Sequence, residues 1–150
     1  VIMGVISAGE RWGAIIAYRL RKPYVGVRPK AKEYGAKGKI EGVSVKGLKV
    51  FVVEDLFSTG GSTLDAITAI EEDGGEVIGA GSIFTYGFNK ANEELTTKLG
   101  KRYFSLSNYA TLISVAADMA YISDMEYIKL SEWHQNPNKY SVDRNGPAKL

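Results

Sequence analysis

The sequence predicts an α/β fold in which a central, mainly parallel sheet is flanked by helices. Short runs rich in valine and isoleucine alternate with helix-length amphipathic segments along most of the chain, the signature of repeated βαβ units. Residues 50–53 are continuously apolar, as expected for a central strand covered on both faces.

Each element follows from local pattern. Residues 1–6 read as a first strand that runs through Ser7-Ala8-Gly9-Glu10 into a helix at about 14–20. Residues 24–27 form the second strand. Residues 28–42 carry four lysines, one arginine and three glycines and almost nothing apolar, so they read as a long basic loop. Residues 49–53 are the next strand, followed by a loop to Gly61 and a helix at 62–73 closed by Gly74-Gly75. A strand at 77–84, a helix at 89–99, a strand at 103–106 and helices at 110–120 and 124–133 complete the series, before a polar tail. No repeat or linker interrupts the chain, and residues 1–150 are expected to form one domain. Because the first strand starts at residue 1 without an initiator methionine, an N-terminal segment is expected to precede it.

Composition narrows the chemistry. With 150 residues and 45% hydrophobic content the chain can bury a sizeable core. The absence of cysteine excludes disulfides, thiolate metal sites and a cysteine nucleophile. The single histidine, His134, lies in a polar stretch with no accompanying site residues. A net charge of +2 is too small to argue for nucleic acid. No apolar run has the length of a membrane span and no secretory leader opens the chain, so the expected setting is the cytoplasm, away from membranes.

The densest chemical signal is Val52-Val53-Glu54-Asp55-Leu56-Phe57-Ser58-Thr59-Gly60-Gly61-Ser62-Thr63. An apolar strand leads into two adjacent carboxylates, then a loop of hydroxyls and glycines, then a helix start. In open parallel sheets, ligands bind beyond the carboxyl ends of the strands. Backbone N–H groups of residues 58–62 can wrap a phosphate at the positive end of the following helix. The hydroxyls of Ser58, Thr59, Ser62 and Thr63 supply further donors. Glu54 and Asp55 are poor anion ligands but good acceptors from a sugar diol, with Mg²⁺ nearby to balance charge. Both are expected to face an open crevice. The plainer alternatives are that Gly60-Gly61 is only a turn and that Ser62 is only a helix N-cap. A P-loop is excluded because no Gly-Lys-Ser/Thr follows, and a dinucleotide fingerprint because G-x-G-x-x-G is absent.

This stretch resembles the motif by which type I phosphoribosyltransferases bind 5-phosphoribosyl-1-pyrophosphate (PRPP). The resemblance implies that Glu54 and Asp55 hold the ribose hydroxyls and that Ser58, Thr59, Gly60, Gly61 and Ser62 bind the 5-phosphate, with Leu56 and Phe57 part of the same PRPP site. The run Arg28-Pro29-Lys30-Ala31-Lys32-Glu33-Tyr34-Gly35, followed by Ile40-Glu41-Gly42, is similar to the catalytic loop of orotate phosphoribosyltransferases. That similarity implies PRPP contacts from Arg28, Lys30, Lys32 and Tyr34. Lys32 would be the main stabiliser of the leaving pyrophosphate, with Arg28 and Asp55 beside it in the catalytic set. Taken alone, the same residues read as a solvated run of charge. By position, Ser7, Ala8 and Gly9 correspond to the family's pyrophosphate loop, and Ser58 and Tyr86 to contacts with orotate.

Residues 82–86, 106–109 and 133–140 also resemble the shorter bacterial enzymes of this type. Several positions depart from the pattern. Pro29 stands where the family commonly has lysine, Tyr34 where it has histidine, and Tyr86 near where some members have an arginine. Glu10 and Arg11 are unexpected after the first loop, and the family's N-terminal hood has no counterpart in these residues.

The resemblance implies transfer of the phosphoribosyl group of PRPP to orotate, giving orotidine 5′-monophosphate and pyrophosphate. It implies Mg²⁺ as cofactor, carried by PRPP with no direct protein ligand, near Glu54 and Asp55. It also implies a homodimer that shares the basic loop across subunits. Another purine or pyrimidine phosphoribosyltransferase, or a non-catalytic sensor of PRPP or nucleotides on the same fold, would share the acidic-pair motif.

Overall fold

A computed structural model describes residues 1–28 and 39–140. Five strands run parallel: β1 (Ile2–Val5), β2 (Tyr24–Val27), β4 (Lys49–Phe57), β5 (Glu76–Thr85) and β6 (Tyr103–Asn108). The short β3 (Ile40–Glu41) pairs antiparallel with β2 at one edge, and the sheet order is β3-β2-β1-β4-β5-β6. The mainly parallel α/β architecture is therefore the one expected.

The two faces of the sheet are covered separately because successive strand residues point to opposite sides. Met3, Val5, Val50 and Val52 enter a larger core with Ile67 and Ile70 of helix α2 (Gly61–Glu72) and Leu95 and Leu99 of helix α3 (Asn89–Leu99). Ile2 and Val53 face the other way, into a smaller cluster with Ala17 of helix α1 (Gly9–Leu20). A chain that winds one way from β1 and the other way from β4 has its topological switch between these adjacent strands.

These elements lie in a unit spanning Val1–Asn108. A second unit, Tyr109–Leu150, contains helix α4 (Tyr109–Asp118), helix α5 (Asp124–Gln135) and a 3₁₀ turn at Pro137–Tyr140. α5 starts with a reciprocal capping box: Ser123 Oγ accepts from the Glu126 N–H, and the Ser123 N–H donates to Glu126 Oε2. Within this unit His134 stacks on Tyr109, with ring centroids 5.0 Å apart.

Two bounds differ from expectation in ways that shape the site. α1 begins at Gly9, not near residue 14. The glycines that argue against a helix there are the residues that let its first turns lie against the sheet. β4 continues to Phe57, so Glu54 and Asp55 lie inside the strand. Pairing with β5 persists as far as Phe57 opposite Thr85, and that pairing outweighs the poor strand propensity of acidic residues.

Candidate active site

Two loops leave the carboxyl ends of the adjacent strands β1 and β4, and each leads into a helix N-terminus. The first comprises Ile6, Ser7 and Ala8, with Ser7 exposed and Ala8 preceding α1. The second comprises Ser58, Thr59 and Gly60, ahead of α2. Gly60 is the N-cap and takes φ +84°, a left-handed conformation suited to glycine. No side chain caps this helix. Ser62 is therefore not its N-cap, and the first N–H groups of α2 remain available to an anion.

Glu54 lies between the two helix starts. Its Oε2 accepts from Ser62 Oγ at 3.0 Å and its Oε1 from the Asp55 N–H at 3.1 Å. Gly9 of α1 is seated directly on it. A Cβ at Gly9 would fall 2.6 Å from the Val53 carbonyl oxygen, 2.9 Å from Glu54 Cα and 3.0 Å from Glu54 Oε1. Only a residue without a side chain permits that approach.

The two acids differ in environment. Glu54 is buried at 4% exposure, whereas Asp55 is half-buried. The expected open crevice in front of both carboxylates is thus corrected for Glu54, which the packing of α1 and α2 against β4 covers. Burial, assisted by hydrogen bonding with the Asp55 carboxyl, pushes the Glu54 carboxyl up to about 8. It is therefore protonated at neutral pH.

The hydroxyl donors also separate. Thr59 is exposed and Ser58 half-buried, so both remain open to a ligand. Ser62 is exposed but its hydroxyl is engaged by Glu54. Thr63 is fully buried, and its hydroxyl has no hydrogen-bond partner among the described residues, so it is not the surface donor expected. Leu56 is half-buried. Phe57 is buried, edge-on to Tyr103 at 6.3 Å, so its side chain belongs to the core and only its backbone faces the loops. Gly61 opens α2 and is exposed.

At the root of the basic loop the Arg28 N–H donates to the Lys39 carbonyl at 2.7 Å, and Arg28 Nε pairs with Glu41 at 2.6 Å. Lys30, Lys32 and Tyr34 lie outside the described residues. Beyond β5, Tyr86 stacks on Phe88 at 5.2 Å and meets Phe84 edge-on at 5.8 Å. This aromatic loop is tied to the end of β4, because Thr85 Oγ1 and the Tyr86 N–H both donate to the Phe57 carbonyl.

Residues 1–121 match the family model described as phosphoribosyl transferase domain. The chain belongs to this family. It is 44% identical over 140 residues to the orotate phosphoribosyltransferase of Listeria monocytogenes serovar 1/2a, covering 93% of this chain and 66% of that relative, just under two thirds of its length. Among solved structures, orotate phosphoribosyltransferase from Aeropyrum pernix superposes with a TM-score of 0.67 at 31% identity, over 81% of this chain and 66% of that one. The Mycobacterium tuberculosis H37Rv orotate phosphoribosyltransferase in complex with PRPP gives a TM-score of 0.59 at 30% identity, over 73% of this chain and 62% of that one.

In this phosphoribosyltransferase-family chain, the contact between Gly9 and Glu54 had no signal in the sequence, because it joins residues of different loops. The Phe84, Tyr86 and Phe88 ladder did have one: aromatic residues at every second position across a strand end.

Proposed function

We propose that the protein is an orotate phosphoribosyltransferase, transferring the phosphoribosyl group of PRPP to orotate to give orotidine 5′-monophosphate and pyrophosphate. The observation that carries this reading is the 44% identity to an enzyme of that name across 93% of the chain. It is supported by the two helix-start loops that flank a carboxylate pair at the β1/β4 switch point.

In this reading the N–H groups of Gly61 and Ser62, with Ser58, Thr59 and Gly60, receive the 5-phosphate at the start of α2. Ser7, Ala8 and Gly9 receive pyrophosphate at the start of α1. The carboxylate pair anchors the ribose so that C1 is presented to the base, and most of the rate enhancement comes from such positioning. N1 of orotate forms its bond to C1 as pyrophosphate leaves with the C–O electron pair and the N1 proton is released. Lys32 and Arg28 meet the charge that builds on the leaving group. Ser58 and Tyr86 contact the orotate ring.

Among the described residues no cluster of three or more His, Cys, Asp or Glu is built to hold a metal. Mg²⁺ carried by PRPP near Glu54 and Asp55 would supply charge neutralisation for the departing group. A homodimer that brings Lys32 to the neighbouring subunit's site belongs to the same proposal, as does a cytoplasmic setting. No helix among the described residues is long and apolar enough to cross a membrane.

The test is PRPP-dependent consumption of orotate, compared with uracil, adenine, hypoxanthine and xanthine. Turnover of orotate alone is the expected result. Preference for another base would replace the orotate assignment and keep the family.

A further inference from the structure

Resting on the orotate reading above, we propose that Thr85 is a positioning residue for the base: its hydroxyl clamps the aromatic loop after β5 to the end of β4 and so aims Tyr86. Thr85 is the last residue of β5 and lies opposite Phe57, the last residue of β4. Its Oγ1 donates to the Phe57 carbonyl at 2.9 Å and accepts from the Gly87 N–H at 2.9 Å. The Tyr86 N–H donates to the same carbonyl at 3.2 Å. That carbonyl belongs to the planar peptide that leads into Ser58. One hydroxyl thus joins the two segments that carry the proposed orotate contacts, Ser58 and Tyr86. The end of β4 is held by its pairing with β5 as far as Phe57, whereas the loop beyond Thr85 has left the sheet. Loss of the clamp therefore moves the aromatic loop and not the strand end.

The rest of the loop is built to keep one shape. Gly87 takes φ +71°, and a Cβ there would meet nothing within 4 Å, so the glycine supplies a left-handed turn and not room. Its N–H is held by Thr85, and its carbonyl accepts from Asn92 Nδ2 of α3 at 3.2 Å. The turn lays Phe88 almost parallel to Tyr86, with 5.2 Å between centroids and 9° between planes, and Phe84 meets Tyr86 edge-on at 5.8 Å. Rings packed in this way fix one another's planes, so the aim of Tyr86 depends on the backbone beneath it. That backbone is what the Thr85 hydroxyl holds. Valine would suit a strand end equally well, which makes the hydroxyl the informative part of this side chain.

The experiment measures PRPP-dependent consumption of orotate by the full chain, with kcat and the two KM values read separately. Thr85→Val keeps the branched shape and removes both hydrogen bonds. It is expected to raise the KM for orotate by about tenfold, as for a lost hydrogen bond that leaves the Gly87 N–H unpaired, with the KM for PRPP unchanged. Thr85→Ser retains the hydroxyl and should restore most of the orotate affinity. Tyr86→Ala should raise the same KM. Adding Thr85→Val to Tyr86→Ala should cause no further loss, because Thr85 acts through that ring. A role confined to stability would produce neither this split between the two substrates nor this coupling.

An unchanged orotate KM in Thr85→Val, or orotate and PRPP values raised together, would overturn the proposal. So would additive losses in the double variant, or failure of Thr85→Ser to restore binding. Should Thr85→Val not fold, the decision comes from Gly87→Ala, which disturbs the same turn without a clash. A rise in its orotate KM alone supports the proposal, and no rise, or a rise for both substrates, overturns it. A wild-type protein that consumes no orotate with PRPP rejects the orotate reading itself, and this inference with it.

Discussion

Arg28 and Glu41 face each other across the root of the basic loop, with Nε donating to Oε1 at 2.6 Å beside the 2.7 Å backbone bond from Arg28 to Lys39. The pair is partly exposed, 34% and 40% on the two side chains, so it contributes less than about 1 kcal/mol to stability. In the proposed pyrophosphate site Arg28 has to leave Glu41 before it can meet the ligand. Glu41→Gln is therefore expected to tighten pyrophosphate binding by about two- to fivefold, the equivalent of a weak surface pair removed from competition. Pyrophosphate titration of the two proteins checks this. Unchanged or weaker binding would remove Arg28 from the pyrophosphate site.

Gly9→Ala is expected to damage both stability and ligand binding. Its Cβ would fall within 3.0 Å of the Val53 carbonyl, Glu54 Cα and Glu54 Oε1, and two of these atoms belong to backbone that cannot rotate away. α1 must then lift from β4, at a cost of about 1–3 kcal/mol typical of overpacking. Urea melts report the first effect and methyl phosphate titration the second. A variant with wild-type stability would show that α1 is not held against the strand at Glu54.

Stability should fall as pH rises from about 4.5 to about 8, through Glu54. The folded protein holds this proton more tightly than the unfolded chain does, because burial disfavours the charged form. The contribution is fully present below the unfolded value and is lost as pH rises through the folded one. Each tenfold difference in proton affinity between the two states is worth about 1.4 kcal/mol, so the loss is on the order of a few kcal/mol. Denaturant melts across this window should show the slope in wild type and a much flatter profile in Glu54→Gln. Parallel profiles would argue against a buried neutral carboxyl.

If Lys32 acts as proposed, Lys32→Ala should lower kcat by about two to three decades with little effect on PRPP affinity, because a charge that meets the leaving group is used chiefly in the transition state. If the loop completes the neighbouring subunit's site, mixing Lys32→Ala with Asp55→Asn restores activity. Random exchange with one intact site per heterodimer predicts recovery of roughly a quarter of wild type. Absence of recovery after demonstrated exchange would show that the loop acts within its own subunit.

Local pattern was sufficient for the type and order of the elements other than β3 and the 3₁₀ turn at Pro137–Tyr140. Tyr24–Val27 and Asn89–Leu99 have the bounds that their residues suggest, since strand and helix periodicities are local properties. The loop Ser58-Thr59-Gly60 after the acidic pair was likewise legible as a strand end leading into a helix start. The short strand β3 was not legible, because Ile40 and Glu41 become a strand only by pairing with Val27 and Gly26. The start of α1 at Gly9 was hidden for a related reason. Glycine disfavours a helix locally, and its value here lies in a contact with another strand.

The inequality of the two carboxylates shows where local information ends. Glu54 and Asp55 are neighbours of the same charge, and nothing in their spacing distinguishes them beyond the alternation of a strand. Which of them is buried depends on where α1 and α2 settle on β4, with Gly9 on one side and Ser62 on the other. Chemical identity and strand periodicity are written residue by residue along the chain. Burial, and with it the protonation of Glu54, arises only when segments distant in sequence exclude water from the same place.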